Sequence, residues 1–306
     1  MKIAIMGSGG IGGYLGGLLA KSGEEVTFIA RGPHLETMRN KGLRVESTVS
    51  GDFSVSDVQA TDDPGEVGEV ELVVMTTKAY DLEAAAEAIQ PMVGQNTVVL
   101  PLLNGVDISE RIGTVVGIDH VLGGLVLISS SVAEPGVIRQ IGPKHRIVFG
   151  ELSGEATPRA RSIEAVLKSV KIDTFLTPNI EQELWKKFIF VTPMAGVGGV
   201  IRKASGLIRS DPDTLKLLTG CMLEIDAVAR KKGVELPENI IAETFKIYDG
   251  LPPGGKPSMV LDLERGNRLE LDALNGTVVR MGKQLNVPTP VNQFIYAALK
   301  LHAGGT

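Results

Sequence analysis

The residues best suited to chemistry open the chain. Gly7-Ser8-Gly9-Gly10-Ile11-Gly12 has the spacing G-x-G-x-x-G. It follows a short apolar, β-prone run, Lys2–Met6, and leads into a helical pattern that closes at Ser22-Gly23. That context turns a weak motif into an informative one. Gly7 permits a tight turn, Gly9 lets a pyrophosphate approach the backbone, and Gly12 lets the helix pack close to the strand. The amides around Ser8, Gly10 and Ile11, at the positive end of the helix dipole, then face the phosphates. A glycine turn that merely packs a helix on a sheet has the same composition; the agreement of strand, loop and helix favours dinucleotide binding.

The end of the second strand bears on which dinucleotide. It reads Phe28-Ile29-Ala30-Arg31-Gly32, with no carboxylate between Glu25 and Glu36. An NAD site places an acidic residue there for the ribose hydroxyls. Arg31 instead offers a guanidinium suited to a 2′-phosphate, so the expected cofactor is NADPH/NADP+.

The elements that must position this loop alternate. Strands are expected at Lys2–Met6, Glu25–Ala30, Leu43–Glu46, Phe53–Val58, Glu71–Thr76 and Thr97–Leu100, and helices at Tyr14–Lys21, Leu35–Lys41 and Asp81–Gln90. Val121–Ser129 is apolar, and Val137–Ile141 with Arg146–Phe149 reads as a hairpin about Gly142-Pro143-Lys144-His145. From about Pro178 onward helices dominate: Ile180–Val191, Asp213–Lys232, Glu238–Ile247, Ser258–Arg265, Leu269–Leu285 and Val291–Leu301. The expected fold class is α/β, an N-terminal Rossmann-type doubly wound sheet followed by an all-α domain. The division is set at residues 1–176 and 177–306.

Composition excludes several functions. The chain has 306 residues, 43% hydrophobic and 22% charged, with a net charge of −5, which argues against a general nucleic-acid or anionic-membrane binder. A single cysteine, Cys221, allows no internal disulfide. His34, His120, His145 and His302 are too scattered for a metal centre, so no metal is expected. The apolar opening is too short for a signal peptide or a membrane span, and a cytoplasmic location is expected.

The ordered set of motifs resembles the ketopantoate reductase family. It consists of the glycine loop and Arg31, Thr77-Lys78-Ala79-Tyr80-Asp81, and Asn104-Gly105-Val106. It continues with Trp185-Lys186-Lys187-Phe188, Ser258-Met259 with Asp262, and Glu270-Leu271-Asp272 with Asn275-Gly276. The resemblance spans nearly the whole chain. It implies NADPH-dependent reduction of 2-dehydropantoate, a branched 2-oxo acid, to pantoate in pantothenate biosynthesis, by a Rossmann domain plus a helical domain.

The resemblance also assigns roles. Lys187 becomes the lysine beside the substrate carbonyl, where an ammonium stabilises the developing oxyanion and donates the proton. Spacing alone would equally make it an i, i+4 surface partner of Glu183. Asn104 would hold the lysine or touch the cofactor, although Asn-Gly is also a turn dipeptide. Lys78 is a second cofactor candidate. Glu270 would accept a bond from the substrate hydroxyl, and Ser258 would contact its carboxylate. Alternatively, Glu270 belongs to a solvated charged face and Ser258 is a helix N-cap. Where family members carry asparagines after the lysine, this chain has Val191 and Ala195, and Leu269 replaces a polar residue. These departures leave room for another small 2-oxo acid or carbonyl. A non-catalytic NADPH-binding regulator is the reading from a different class. The weakly charged stretch Gly196–Val200 is compatible with a homodimer interface or with a core.

Overall fold

The computed structural model describes every residue, Met1–Thr306. The chain forms two compact units: Met1–Leu103 with Asp107–Ile180, and Asn104–Val106 with Glu181–Thr306.

In the first unit the chain runs β1 (Lys2–Met6), α1 (Gly10–Lys21), β2 (Glu25–Ile29), α2 (Gly32–Lys41), β3 (Leu43–Ser47), β4 (Phe53–Val55) and β5 (Gln59–Thr61). It continues with β6 (Leu72–Met75), α3 (Leu82–Ala88), β7 (Val98–Pro101), α4 (Ile108–Val116), β8 (Gly123–Glu134), β9 (Val137–Gly150), α5 (Pro158–Ser169) and β10 (Asp173–Leu176). One sheet has the order β5-β2-β1-β6-β7 and is parallel throughout. Strands β1, β6 and β7 are apolar runs, almost wholly buried, as a helix-covered parallel sheet requires. Strand order reverses at β1, which puts the glycine loop at the switch point where open α/β sheets bind ligands.

A second, mixed sheet has the order β10-β9-β3-β4, with β8 paired to β9. The glycines of α1 explain how the two sheets share one helix. A Cβ on Gly16 would press on Phe28 and Ile5 of the first sheet; one on Gly17 would contact Leu43 and Val45 of the second. Bare backbone on both flanks lets α1 lie between them, with Gly12–Leu19 buried.

The expected hairpin about Gly142–His145 is corrected. β9 is a single 14-residue strand, and its hairpin partner is β8, joined through Pro135-Gly136. Between Ile128↔His145 and Ser129↔Ile141 the register slips, so Gly142-Pro143-Lys144 is extra length on one strand. Turn-like residue types at 142–145 mark a bulge. The short strand β5 and the helices α4 and α5 were not anticipated.

The second unit is helical: α6 (Ile180–Ile201, its first residue in the other unit), α7 (Ser205–Ser210), α8 (Pro212–Lys232), α9 (Ile240–Asp249), α10 (Ser258–Glu264), α11 (Asn275–Leu285) and α12 (Pro290–Leu299). α6 is one continuous 22-residue helix through Pro193. It is long and apolar enough to cross a membrane, but much of it is buried within the protein, including Trp185, Phe188, Ile189 and Val197. Beside it lies a buried polar knot. Asn275 Nδ2 and the Cys221 thiol both donate to Asn292 Oδ1, at 2.9 and 3.2 Å. Glu224 accepts from the backbone amides of Val291 and Asn292 at the start of α12. The expected helix Leu269–Leu285 is shorter: α11 begins only at Asn275, and Leu271–Leu274 form a turn.

Candidate active site

The glycine loop is built by contacts that leave one face open. Gly7 has φ +99°, and a Cβ there would come within 2.8 Å of the Thr77 amide nitrogen. A Cβ on Gly12 would overlap the Gly7 carbonyl, and one on Gly10 the Ser130 carbonyl. Gly9, the N-cap of α1, is exposed with nothing near the place its Cβ would take. Ser8 is buried and tied down: its amide and hydroxyl both donate to the Ile29 carbonyl, at 3.1 and 3.0 Å. Ile11 packs against the core. The loop is therefore closed to side chains beneath and open above Gly9, a cradle that fits a dinucleotide pyrophosphate.

A residue not singled out from sequence completes this loop. His34 Nε2 lies 2.9 Å from the Ser8 carbonyl, and the Gly136 amide donates to Nδ1 at 3.0 Å. The two bonds require a neutral ring with its proton on Nε2. Burial lowers the His34 pKa, which favours that neutral form. Nothing in the sequence near position 34 announces this role, because Gly136 is a hundred residues away.

Arg31 is the exposed N-cap of α2, just past the end of β2, and its side chain makes no cap hydrogen bond. Lys78, half-buried, follows the end of β6 and precedes a short 3₁₀ turn.

Within the helical unit three residues from distant segments converge. The Asn104 side-chain amide donates to Glu270 Oε2 at 3.2 Å. Asn104 reaches that position because Gly105, at φ +130°, turns the chain behind it. Glu270 is 6% exposed and sits outside any helix, its carbonyl accepting from the amides of Ala273 and Leu274. It is therefore not part of a solvated helix face. Lys187 of α6 is close enough for the Glu270 carboxylate to act on it. Its pKa is lowered to about 8: desolvation pushes it down and the negative charge of Glu270 partly restores it. The expected alternative partner is taken, since Glu183 pairs with Lys186 at 3.0 Å. Lys187 thus keeps its N–H donors uncommitted.

Ser258 is the first residue of α10 and is exposed; Pro257 holds the cap position, so Ser258 caps nothing. α10 packs through Met259 and Val260 against Gly199 and Gly198, near the far end of α6 from Lys187. The structure shows no bond between Ser258 and the Lys187–Glu270–Asn104 group. Val191 and Ala195 follow Lys187 by one and two turns of α6, and Ala195 is buried.

An enclosed ammonium near its titration point, with a carboxylate beside it and an amide steadying that carboxylate, can donate a proton to a carbonyl oxygen at neutral pH. Comparison with known proteins identifies the family. The ketopantoate reductase PanE/ApbA family profile matches residues 3–154, and its C-terminal profile matches residues 179–303. The uncharacterized oxidoreductase YkpB of Bacillus subtilis is 33% identical over 99% of both chains. A PanE/ApbA family ketopantoate reductase from Ralstonia eutropha is 31% identical with a TM-score of 0.91, covering 99% of this chain and 98% of that one. A D-mandelate dehydrogenase, solved with NADH and anilino(oxo)acetate, is 25% identical with a TM-score of 0.90, covering 99% and 98%. The two profiles together span nearly the whole chain, and the chain belongs to the PanE/ApbA ketopantoate reductase family of oxidoreductases.

Proposed function

We propose that the protein reduces 2-dehydropantoate to pantoate with NADPH, serving pantothenate synthesis in the cytoplasm. The observation that carries this reading is Lys187: a desolvated ammonium, poised at about 8, with free donors beside the Glu270–Asn104 pair. The glycine cradle would hold the dinucleotide, with Gly9 leaving room for the pyrophosphate and Lys78 nearby on the loop after β6. Arg31 would meet the 2′-phosphate. When bound, the reduced nicotinamide supplies the hydride.

The chain's own residues do the rest. Lys187 donates a hydrogen bond to the ketone oxygen and gives up its proton as negative charge builds there. Glu270 keeps the ammonium protonated and accepts from the nascent hydroxyl; Asn104 fixes the carboxylate by its single N–H bond. Ser258, with an uncommitted hydroxyl, would contact the substrate carboxylate.

A second reading keeps this machinery and changes the acid. Val191 and Ala195 offer no side-chain hydrogen bond to a substrate hydroxyl, and the D-mandelate dehydrogenase shares the fold closely. Purified protein given NADPH and 2-dehydropantoate, beside phenylglyoxylate and other 2-oxo acids lacking a hydroxyl, separates the two. Selective turnover of 2-dehydropantoate is expected. Preference for the hydroxyl-free acids would transfer the assignment to the second reading.

A further inference from the structure

His34 stands between the glycine loop and the turn that joins β8 to β9. The two contacts fix where the ring carries its proton. The Ser8 carbonyl can only accept, so Nε2 is protonated and donates to it at 2.9 Å. The Gly136 amide can only donate, so Nδ1 is bare and accepts from it at 3.0 Å. The turn is itself anchored: the Gly136 carbonyl accepts from the Arg44 amide of β3 at 2.9 Å, and a Cβ on Gly136 would press on Thr37 of α2. Ser8 is held a second way, its amide and hydroxyl both donating to the Ile29 carbonyl. In a trans peptide the C=O and the following N–H point in opposite directions. A Ser8 carbonyl held on His34 therefore turns the Gly9 N–H away from the ring. Gly9 is the exposed residue of the loop, with open space where its Cβ would lie.

We propose that His34 is a positioning residue for the cofactor: its neutral ring holds the Ser8 carbonyl and so aims the Gly9 amide at the dinucleotide pyrophosphate, and protonation in acid releases that hold. The proposal rests on the dinucleotide reading of the preceding section. A proton on Nδ1 would set an N–H against the Gly136 N–H, and the ring could no longer sit between its two partners. Burial lowers the His34 pKa and the Ser8 bond opposes that, with no neighbouring charge contributing. The charged residues of the segments around the ring are Arg31 and Glu36 at α2, Glu134 before the turn and Arg44 of β3, and all four are exposed. The ring is therefore neutral at about pH 7 and charges only as pH falls below the usual histidine range.

The test uses the full-length protein, with His34→Gln and His34→Leu. ADP-ribose is titrated at a series of pH values across about pH 5 to 8, where histidine changes charge. It keeps the pyrophosphate and lacks the 2′-phosphate, which would titrate in the same range. Wild-type affinity should fall about 3- to 10-fold toward acid. His34→Leu should bind that much more weakly already at about pH 8 and lose no more below it. His34→Gln keeps an N–H for the Ser8 carbonyl and cannot titrate. It should bind better than His34→Leu and hold the same affinity across the range. An acid loss that persists in His34→Gln overturns the proposal. So does wild-type affinity in His34→Leu, or a His34→Gln no better than His34→Leu. A wild-type protein that binds neither ADP-ribose nor NADPH overturns the dinucleotide reading, and the proposal with it.

Discussion

An ammonium that titrates near pH 8 sets the pH dependence of any reaction it serves as an acid. Lys187 is lowered from its ordinary value, so it is protonated below about 8 and loses its proton above. Reduction should therefore fall as pH rises through about 8, while the reverse oxidation gains. Glu270 holds that pKa up, so Glu270→Gln should move the falling limb of the kcat profile to lower pH. Lys187→Ala should cut kcat by about 10²–10⁴-fold with NADPH affinity kept. Steady-state profiles and cofactor titrations check both. Arg31→Ala should weaken NADPH about 10-fold and leave NADH nearly unchanged, because only NADPH carries a 2′-phosphate for the exposed guanidinium to meet. At this scale the sequence shows residue types but not their meeting. Asn104 and Glu270 are 166 positions apart. Glu270 lies in so charged a segment that burial is the last thing its neighbours suggest. Lys187 and Lys186 are neighbours of one type, and it is the structure that gives Glu183 to Lys186 and Glu270 to Lys187.

Helices and strands were legible where their patterns were local. The β1–α1–β2 unit and the apolar strands β6 and β7 follow directly from the residues. The second sheet was not, because its parallel β3–β9 pairing joins Arg44 to Val137 and no short window contains both. The apparent turn at 142–145 has turn composition and strand geometry, the bulge being absorbed by β8 opposite. Leu269, Leu271 and Leu274 lie upstream of α11, and their burial serves a turn rather than a helix face. Glycine positions carry a prediction here. A Cβ on Gly196 of α6 would sit 2.6 Å from Asn275 Oδ1 and 2.8 Å from Ile295 Cγ2. Gly196→Ala should therefore destabilise by about 1–3 kcal/mol through overpacking, read as a lowered Tm. The Asn275–Asn292 bond is the contact most directly disturbed.

The molecule as a whole carries one tryptophan and one cysteine, and both lie in the helical unit. Trp185 is 1% exposed; Cys221 is fully buried, its thiol held from ionising by burial and the nearby Glu224. Native protein should resist thiol reagents, and labelling should begin only when the helical unit opens. In denaturant, Trp185 fluorescence and Cys221 labelling should follow one transition. Far-UV circular dichroism should depart from it if the two units open separately, since each has its own core. Coincidence of all three signals would mean one cooperative transition.

Asn104–Val106 gives this arrangement a consequence for inheritance. These three residues are encoded in the first half of the chain yet belong to the helical unit, where Val106 packs on the core and Asn104 holds Glu270. A recombination that exchanged everything after residue 177 would carry Lys187 and Glu270 to a new host and leave Asn104 behind. A chimera of two relatives joined at that point should keep its Asn104–Glu270 bond only where the incoming helical unit meets a matching Asn-Gly-Val segment, so the two coding segments are structurally coupled.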